Sequence, residues 1–589
     1  MNPQARTDVL LLVAFCGFLF FYGLGSFGLI GADEPRYAQI AREMLARRDF
    51  VTPTLQGKPW LEKPALYYWQ AALAYRVEQA LLPSAGVGRA FLPAQGHNNN
   101  DQNNDDRNNG DRNSDGVTDQ AARLPSAVDA ALLIVAVYLF LRRFRPGSQI
   151  DGALITAGCA GMIGFARAAS TDMPLAATFS IALLGWYAWY EGRRRLPLAL
   201  FYIFLALATL AKGPVAPFLA LVILLVFATL KRDGQVLLRT LWLPGIFLFF
   251  LIALPWYLAV QMRNPDFFRV FILQHNLARF SQDVYHHPQP FWYYLPVLCL
   301  GLLPWTLWLA LAVLEKFRLA WSQGLQAFAH PDDSRGLFLL LWLLVPALFF
   351  SVSQSKLPGY ILPSIPAGAL LVSEYLAARR GDETSAEKTS AELRRAGGRN
   401  VPLPLAALHA LVCGTLVFAA LMAASVILNR RLLWGTGTYL AAAIAAVVAA
   451  AVAATLRSRP GIRLVRFATM IPILLCVAAV LRLAAPAIDA RFSARPIAQT
   501  ILSFSHEDVP LAVYHTTREQ EFGLEFYLDR PAQHYDWGQV PPQGHLLLTA
   551  PNSLPQIAVL LSGRRLSYLT TLPAQNLELY WISSRSGTP

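Results

Sequence analysis

Charge is scarce in this sequence. Of 589 residues, 15% are Asp, Glu, Lys or Arg, against 55% hydrophobic. A water-soluble chain of that length would cover its core with more charge than this. Loop cysteine is missing as well. Cys16, Cys159, Cys299, Cys413 and Cys476 all lie inside apolar runs, so no disulfide framework is expected. There is no internal repeat. The first apolar run, 9–30, lacks the short core and small-residue cleavage site of a removable signal peptide, so it reads as a retained span. The net charge of +13 first reflects basic cytoplasmic loops. It also suits anionic lipids or phosphate-bearing substrates; no nucleic-acid partner is expected.

What the chain does have is a series of apolar runs of about 20 residues, the length that crosses a bilayer. Basic clusters separate them: Arg142-Arg143-Phe144-Arg145, Arg193-Arg194-Arg195, Lys231-Arg232, Lys316-Phe317-Arg318, Arg379-Arg380 with 394–399, and 457–463. With the N-terminus in the cytoplasm, one threading puts all of these inside. Spans then fall near 9–30, 126–142, 150–168, 173–191, 196–212, 214–230, 241–260, 291–312, 337–353, 360–378, 402–428, 436–456 and 466–486. That is about thirteen helices of membrane length. Arg430-Arg431 is left on the outer side.

The expected architecture is an all-α polytopic membrane domain over 1–488 and a small α/β domain outside the membrane over 489–589. In the latter, 511–515, 545–550 and 577–583 read as strands. The first outer loop, 31–124, carries two amphipathic helices expected to lie on the membrane surface. In one, Tyr37, Ile40, Met44 and Leu45 share a side. In the other, Leu66, Trp69, Leu73, Val77 and Leu81 do. The loop also holds an Asn/Asp-rich insert, within 84–123, with the composition of a disordered linker. Asp111, Asn113, Asp115, Gly116 and Asp119 follow the spacing of a calcium loop, but Ala122 stands where its closing Glu belongs.

Under this threading the unusual polar residues converge on the outer face. Asp33 and Glu34 follow the first span; Glu62 and Lys63 sit in WLEKPALYYW; Asp172 in ARAASTDMPLA; Lys212 in AKGPV; His275 and Arg279 in FILQHNLARFSQD; Lys356 and Tyr360 in SQSKLPGYILP. For any one of them a solvated surface charge is the plainer account. Their joint position at span ends beside rigid prolines points to a site. Acids and cations in one cavity at the bilayer surface suit a lipid-linked phosphate. Lys63, Arg279 and Lys356 are candidates to hold phosphate charge. Should that phosphate leave an anomeric carbon, they stabilise the leaving group. Asp33 and Asp172 would serve as base, orient a sugar, or stabilise positive charge on its ring. Trp60, Tyr67, Tyr68 and Tyr360 offer flat faces, although Tyr67 and Tyr68 read better as an interfacial aromatic belt. Glu62 and His275 are a candidate pair for a divalent metal such as zinc, short of the ligand count of a closed site. His286-His287 reads as a loop cap before Pro288.

Taken in order, ADEPRYAQIAREM, LEKPALYYW, RLPSA, ARAASTDMPLA, AKGPVA, HNLARFSQD and SQSKLPGYILP resemble the bacterial aminoarabinose transferases (ArnT-type). These sit within the protein O-mannosyltransferase-like membrane glycosyltransferases of the GT-C fold. The resemblance is strong over 32–363 and extends beyond only in layout. It implies inverting transfer of 4-amino-4-deoxy-L-arabinose from undecaprenyl phosphate to a lipid A phosphate on the periplasmic face of the inner membrane. By motif, Asp33 and Asp172 match the family's loop acids, Lys63 and Arg279 its phosphate-binding cations, and Tyr360 the aromatic of the SKLP loop. The chain departs in two places: the insert is longer and more acidic, and Gly359 replaces a bulkier residue. A sister enzyme moving another polyprenyl-phosphate sugar to a protein, glycan or other lipid is the nearest alternative. A lipid-linked-sugar transporter fits less well, since it would carry repeated halves and mid-membrane polar residues.

Overall fold

The computed structural model describes residues 3–81, 117–278, 289–323, 334–380, 401–428, 435–504, 509–561 and 563–584. Asp111, Asn113 and Asp115 of the insert, Arg279 and the His286-His287 pair lie outside them.

The chain opens with α1 (Pro3–Cys16), which loosens into a π turn over Gly17–Phe21. The first expected span therefore stops short of residue 30, and Ile30 instead bridges to Ser493. The first loop contains α2 (Asp33–Arg47), a hairpin of β1 (Thr54–Leu55) and β2 (Lys58–Pro59), and α3 (Leu66–Leu81). Then α4 (Asp119–Phe144) starts on Thr118, whose hydroxyl accepts from the Ala121 N–H at 3.2 Å, a standard N-cap.

Next come α5 (Gln149–Ala157) and α6 (Ala160–Ala166), one expected span broken by a 64° bend. They are followed by α7 (Asp172–Gly192), α8 (Arg195–Lys212), α9 (Val215–Lys231), α10 (Gly234–Thr240) and α11 (Leu243–Arg263). A π-helical stretch over Arg269–Ala278 comes after. The expected span 291–312 is likewise bent: a short 3-10 turn and α12 (Tyr294–Gly301) meet α13 (Thr306–Gln323) at 119°. Then come α14 (Ser334–Val352), a 3-10 turn over Pro358–Ser364, and α15 (Ile365–Arg379). The last bundle is α16 (Leu403–Ile427), α17 (Thr436–Arg457) and α18 (Gly461–Ala479), which runs on through a π turn into α19 (Ala485–Phe492).

Among the described residues, eight helices are long and apolar enough to cross a membrane, or ten if each bent pair is one span. The remaining expected spans are helical but shorter or more polar: α1 with its π turn, α7 and α9. The chain is thus a multi-span helical membrane protein. All five cysteines are free.

The soluble part holds α20 (Arg495–Phe504), β3 (Leu511–Tyr514), α21 (Arg518–Leu528), β4 (Gln533–His534), β5 (His545–Thr549), α22 (Leu554–Leu561), β6 (Leu566–Leu572) and β7 (Leu577–Ile582). Its five-stranded sheet has the order β4-β3-β5-β7-β6, with β3 parallel to β4 and β5, and β7 antiparallel to its neighbours. A capping box, Thr517 with Gln520, starts α21.

This sheet domain is clamped onto the first loop. Arg42 donates to the Phe526 carbonyl at 2.9 Å and pairs with Asp529 at 3.0 Å. The Tyr527 hydroxyl accepts from the Leu29 N–H (2.7 Å) and donates to Asp119 (2.8 Å). Arg495 pairs with Asp119 (3.2 Å) and Asp489 (2.9 Å).

Two surface expectations need correction. Helix α2 does not lie on a membrane surface: Tyr37, Ile40 and Met44 are buried, and so are Glu34, Arg36 and Arg42 around the other side, because α3 and α21 cover it. Tyr67 and Tyr68 are not belt residues. Both are fully buried and meet Tyr37 edge-on or tilted at about 6 Å between ring centres. Helix α3 does keep an exposed apolar stripe of Leu73, Val77 and Leu81, the pattern of an interfacial helix.

Candidate active site

Asp33 and Glu34 open α2, where the helix dipole favours carboxylates. They face different ways. Glu34 turns inward, accepting from the N–H groups of Ile30 (2.9 Å) and Ala169 (2.8 Å) and pairing with Arg123 at 2.7 Å. Arg123, the first residue of RLPSA, is fully buried and also donates to the carbonyls of Leu24, Phe27 and Gly28, each at 2.8 Å. This pair is structural: it ties the end of the first span to α4 and to the loop before α7.

Asp33 is half-exposed and pairs with Arg36. The Arg36 guanidinium is sandwiched among aromatic faces, 4.9 Å from the Trp60 ring centre and 5.4 Å from those of Tyr37 and Phe522. Phe522 comes from α21, so the sheet domain reaches this site. Arg36 Nε, Trp60 Nε1 and the Tyr68 hydroxyl are buried without a hydrogen-bond partner among the described residues. Orphaned donors of this kind are rare in folded interiors and mark places where polar ligands or water bind.

Asp172 is the first residue of α7, and its carboxylate pairs with Lys212, the last residue of α8. Each charge sits at the helix end whose dipole it complements. The Lys212 ammonium also lies 4.8 Å from the Tyr360 ring centre. Gly359 explains the fit: a Cβ there would come within 2.6 Å of the Asp172 carboxyl group. Tyr360 packs on Phe350 with ring centres 5.1 Å apart. Burial pushes the Tyr37 phenol well up, with Asp33 and, more weakly, Asp172 adding to it against Arg36. The Ala169 N–H bond to Glu34 brings the loop before α7 against the start of α2, which puts the two aspartates at the same end of the bundle.

Lys356 is buried, its ammonium donating to the Ser353 carbonyl at 2.5 Å; burial lowers its pKa from the usual lysine value. Lys63 is half-buried in the loop shared with Glu62. Glu62 and His275 do meet, 3.7 Å apart, at ion-pair distance. No group of three His, Cys, Asp or Glu among the described residues gathers to hold a metal, whereas a zinc site needs three or four protein ligands. Asp119, the one candidate calcium ligand among the described residues, is buried at the start of α4 and held by Arg495 and Tyr527.

Sequence reasoning missed Arg36, although its i,i+3 spacing from Asp33 at a helix start was a usable signal. It also missed the Glu34–Arg123 pairing, which only the folded chain brings together.

Known proteins were compared with this architecture. A family model described as dolichyl-phosphate-mannose-protein mannosyltransferase matches residues 96–271. A protein of Pseudomonas aeruginosa (strain UCBPP-PA14) named undecaprenyl phosphate-alpha-4-amino-4-deoxy-L-arabinose arabinosyl transferase is 33% identical over 415 residues, 69% of this chain and 65% of that one. A like-named protein of Yersinia enterocolitica is 30% identical over 385 residues, 62% of this chain and 58% of that one. The matched region thus spans just under two thirds of these relatives. Over 98% of both chains, the fold is similar to the crystal structure of ArnT from Cupriavidus metallidurans bound to undecaprenyl phosphate, at 20% identity and a TM-score of 0.69.

The fold is thus that of the ArnT structure, a multi-span helical membrane domain carrying a small sheet domain. Over the matched region the chain is similar to aminoarabinosyl transferases of the ArnT type.

Proposed function

We propose that this chain transfers 4-amino-4-deoxy-L-arabinose from undecaprenyl phosphate to a phosphate of lipid A, at the periplasmic face of a bacterial inner membrane. The observation that carries this reading is the pair of carboxylate–cation couples, Asp33–Arg36 and Asp172–Lys212, brought by separate loops to one end of a helical bundle. Aromatic faces (Trp60, Tyr360) and buried cations (Arg36, Lys356) surround them. The opposite ends of the helices carry the basic residues Arg142, Lys231, Arg379 and Arg457. That charge bias supports a cytoplasmic N-terminus and a periplasmic sheet domain.

The reaction would be a single displacement. An acceptor phosphate oxygen attacks the anomeric carbon from the face opposite the leaving group. The new C–O bond forms as the bond to the polyprenyl phosphate oxygen breaks, inverting that carbon. The phosphate acceptor is already ionised at neutral pH and needs little deprotonation. Asp33 is then an organiser of Arg36 and a partner for the sugar's ammonium. Lys63, Lys356 and Arg279 neutralise the departing phosphate, where charge develops. Tyr360 and Trp60 give the sugar or isoprenoid flat surfaces.

The test is mass spectrometry of lipid A from a strain lacking its own transferase, complemented with this chain or with Asp33→Asn. Aminoarabinose addition by the wild type, reduced at least a hundredfold in the variant, is the expected result. Unmodified lipid A, with folded protein and donor lipid both present, would overturn the assignment.

A further inference from the structure

A cavity of about 420 Å³ lies between α6, α16, α18 and the bend joining α12 to α13. Its walls are apolar, with Ile163, Leu416 and Pro472 among them, from mid-helix on α18 toward the end of the bundle that holds the aspartates. The charged residues on its lining are Glu34 and Arg167, both at that end. Glu34 is already neutralised by Arg123. Arg167 donates to the carbonyls of Leu19 (3.2 Å) and Gly23 (2.8 Å), which anchor it without cancelling its charge. The cavity is therefore a greasy slot with a net cation at its mouth, the shape and polarity of a site for one anionic lipid chain.

None of Lys63, Lys212, Lys356 and Tyr360 lines it, so it is separate from the groups assigned to the donor phosphate. Its charged end borders both catalytic loops. Glu34 follows Asp33, and the N–H of Ala169, three residues before Asp172, is bonded to Glu34.

We propose that this slot takes an acyl chain of the acceptor lipid, with Arg167 binding the phosphate of its headgroup. The proposal rests on the reading that the chain joins a sugar from one lipid to another. Such a reaction has two greasy substrates and needs a place for each. Holding the acceptor here would present its phosphate at the end of the slot bordered by Glu34 and Ala168, next to the loops that carry Asp33 and Asp172, while the polyprenyl tail lies against another face.

Gly164 supplies the test. It lines the slot, and a Cβ added there meets open space, so a large side chain fills the slot without backbone clash. The full-length protein in detergent would be titrated with lipid A and, separately, with undecaprenyl phosphate, reading retention by native mass spectrometry. Gly164→Phe should weaken lipid A retention at least tenfold and leave undecaprenyl phosphate retention unchanged, which also reports that the variant is folded. Arg167→Gln should weaken lipid A but not its dephosphorylated form. A second measurement uses the wild type: lipid A carrying a photoreactive acyl chain should crosslink to α6 and α16 peptides. Unchanged lipid A retention in Gly164→Phe, or crosslinks elsewhere in a protein that does glycosylate lipid A, would overturn the slot alone. Loss of undecaprenyl phosphate instead would reassign the slot to the donor. Crosslinking at α6 without any transfer would keep the slot and remove the enzymatic reading.

Discussion

Gly359 and Glu34 show how much individual positions constrain this site. At Gly359 the absence of a side chain is the requirement, because the Asp172 carboxyl group occupies the space a Cβ would take. Gly359→Ala should push Asp172 off Lys212 and lower kcat at least tenfold, about 1.4 kcal/mol of barrier. The protein should still fold, since the clash is with a side chain that can move. Steady-state kinetics beside a thermal-shift curve separate the two. Glu34 is the opposite case. Its carboxylate compensates a fully buried guanidinium. Glu34→Ala should cost about 3–5 kcal/mol of stability, the penalty for stranding one partner of a buried ion pair. Here the thermal midpoint should fall sharply before activity can be assessed. Neighbours in sequence, Asp33 and Glu34 thus differ in kind, and their order in the chain gave no hint of which was which.

Hydropathy and charge bias made the long helices legible: α8, α11, α14, α16 and α17 lie within a few residues of the expected spans, whereas α4 starts earlier than its own, at Asp119. Three of the sheet's five strands, β3, β5 and β7, were legible from their alternation, whereas β4 and the longest strand, β6, were not. The bends in α5–α6 and α12–α13 were not, because a kinked apolar run has the same composition as a straight one. Surface partners were equally hidden. The apolar faces of α2 and α3 have similar periodicity, but protein covers α2 whereas the α3 stripe stays bare. Spin labels test this contrast. A label at Val77 should collide with oxygen dissolved in the bilayer at interfacial depth, whereas one at Tyr75, on the buried side, should be shielded. Equal shielding would remove the interfacial role of α3. Asp33 and Asp172 stood out in the sequence because ionisable residues at span ends are few. Arg36's setting was not, since Phe522 arrives from the far end of the sequence.

Across the whole molecule, the sheet domain is tied to the first loop through Arg42 and Tyr527, and a titratable group, Glu525, lies at that contact. Glu525 on α21 is buried, and its pKa rises to about 7 from 4.5 through desolvation, opposed by hydrogen bonds from Gln56 of the first loop and from Ala532, with Glu521 and Glu43 adding repulsion. Because the folded pKa is the higher one, the folded form binds the proton more tightly. That stability is fully present below pH 4.5 and is lost as pH rises through 7. The loss is on the order of 3 kcal/mol at full ionisation. Hydrogen exchange in α21 should therefore be slower at pH 5 than at pH 8 after correction for the intrinsic rate, and Glu525→Gln should flatten the difference.

Tyr527 is one hydroxyl shared by residues 29 and 119, with its own position near the end of the chain. Seen in time rather than in space, that junction is a clock. While the polypeptide is being threaded into the membrane, Leu29 and Asp119 are in place long before residue 527 exists. The first loop must wait some four hundred residues beyond Asp119 before these hydrogen bonds can close. Phe522, which covers Arg36, arrives just as late. A chain assembled in this order cannot close the aromatic cover over Arg36 until Phe522 has been made.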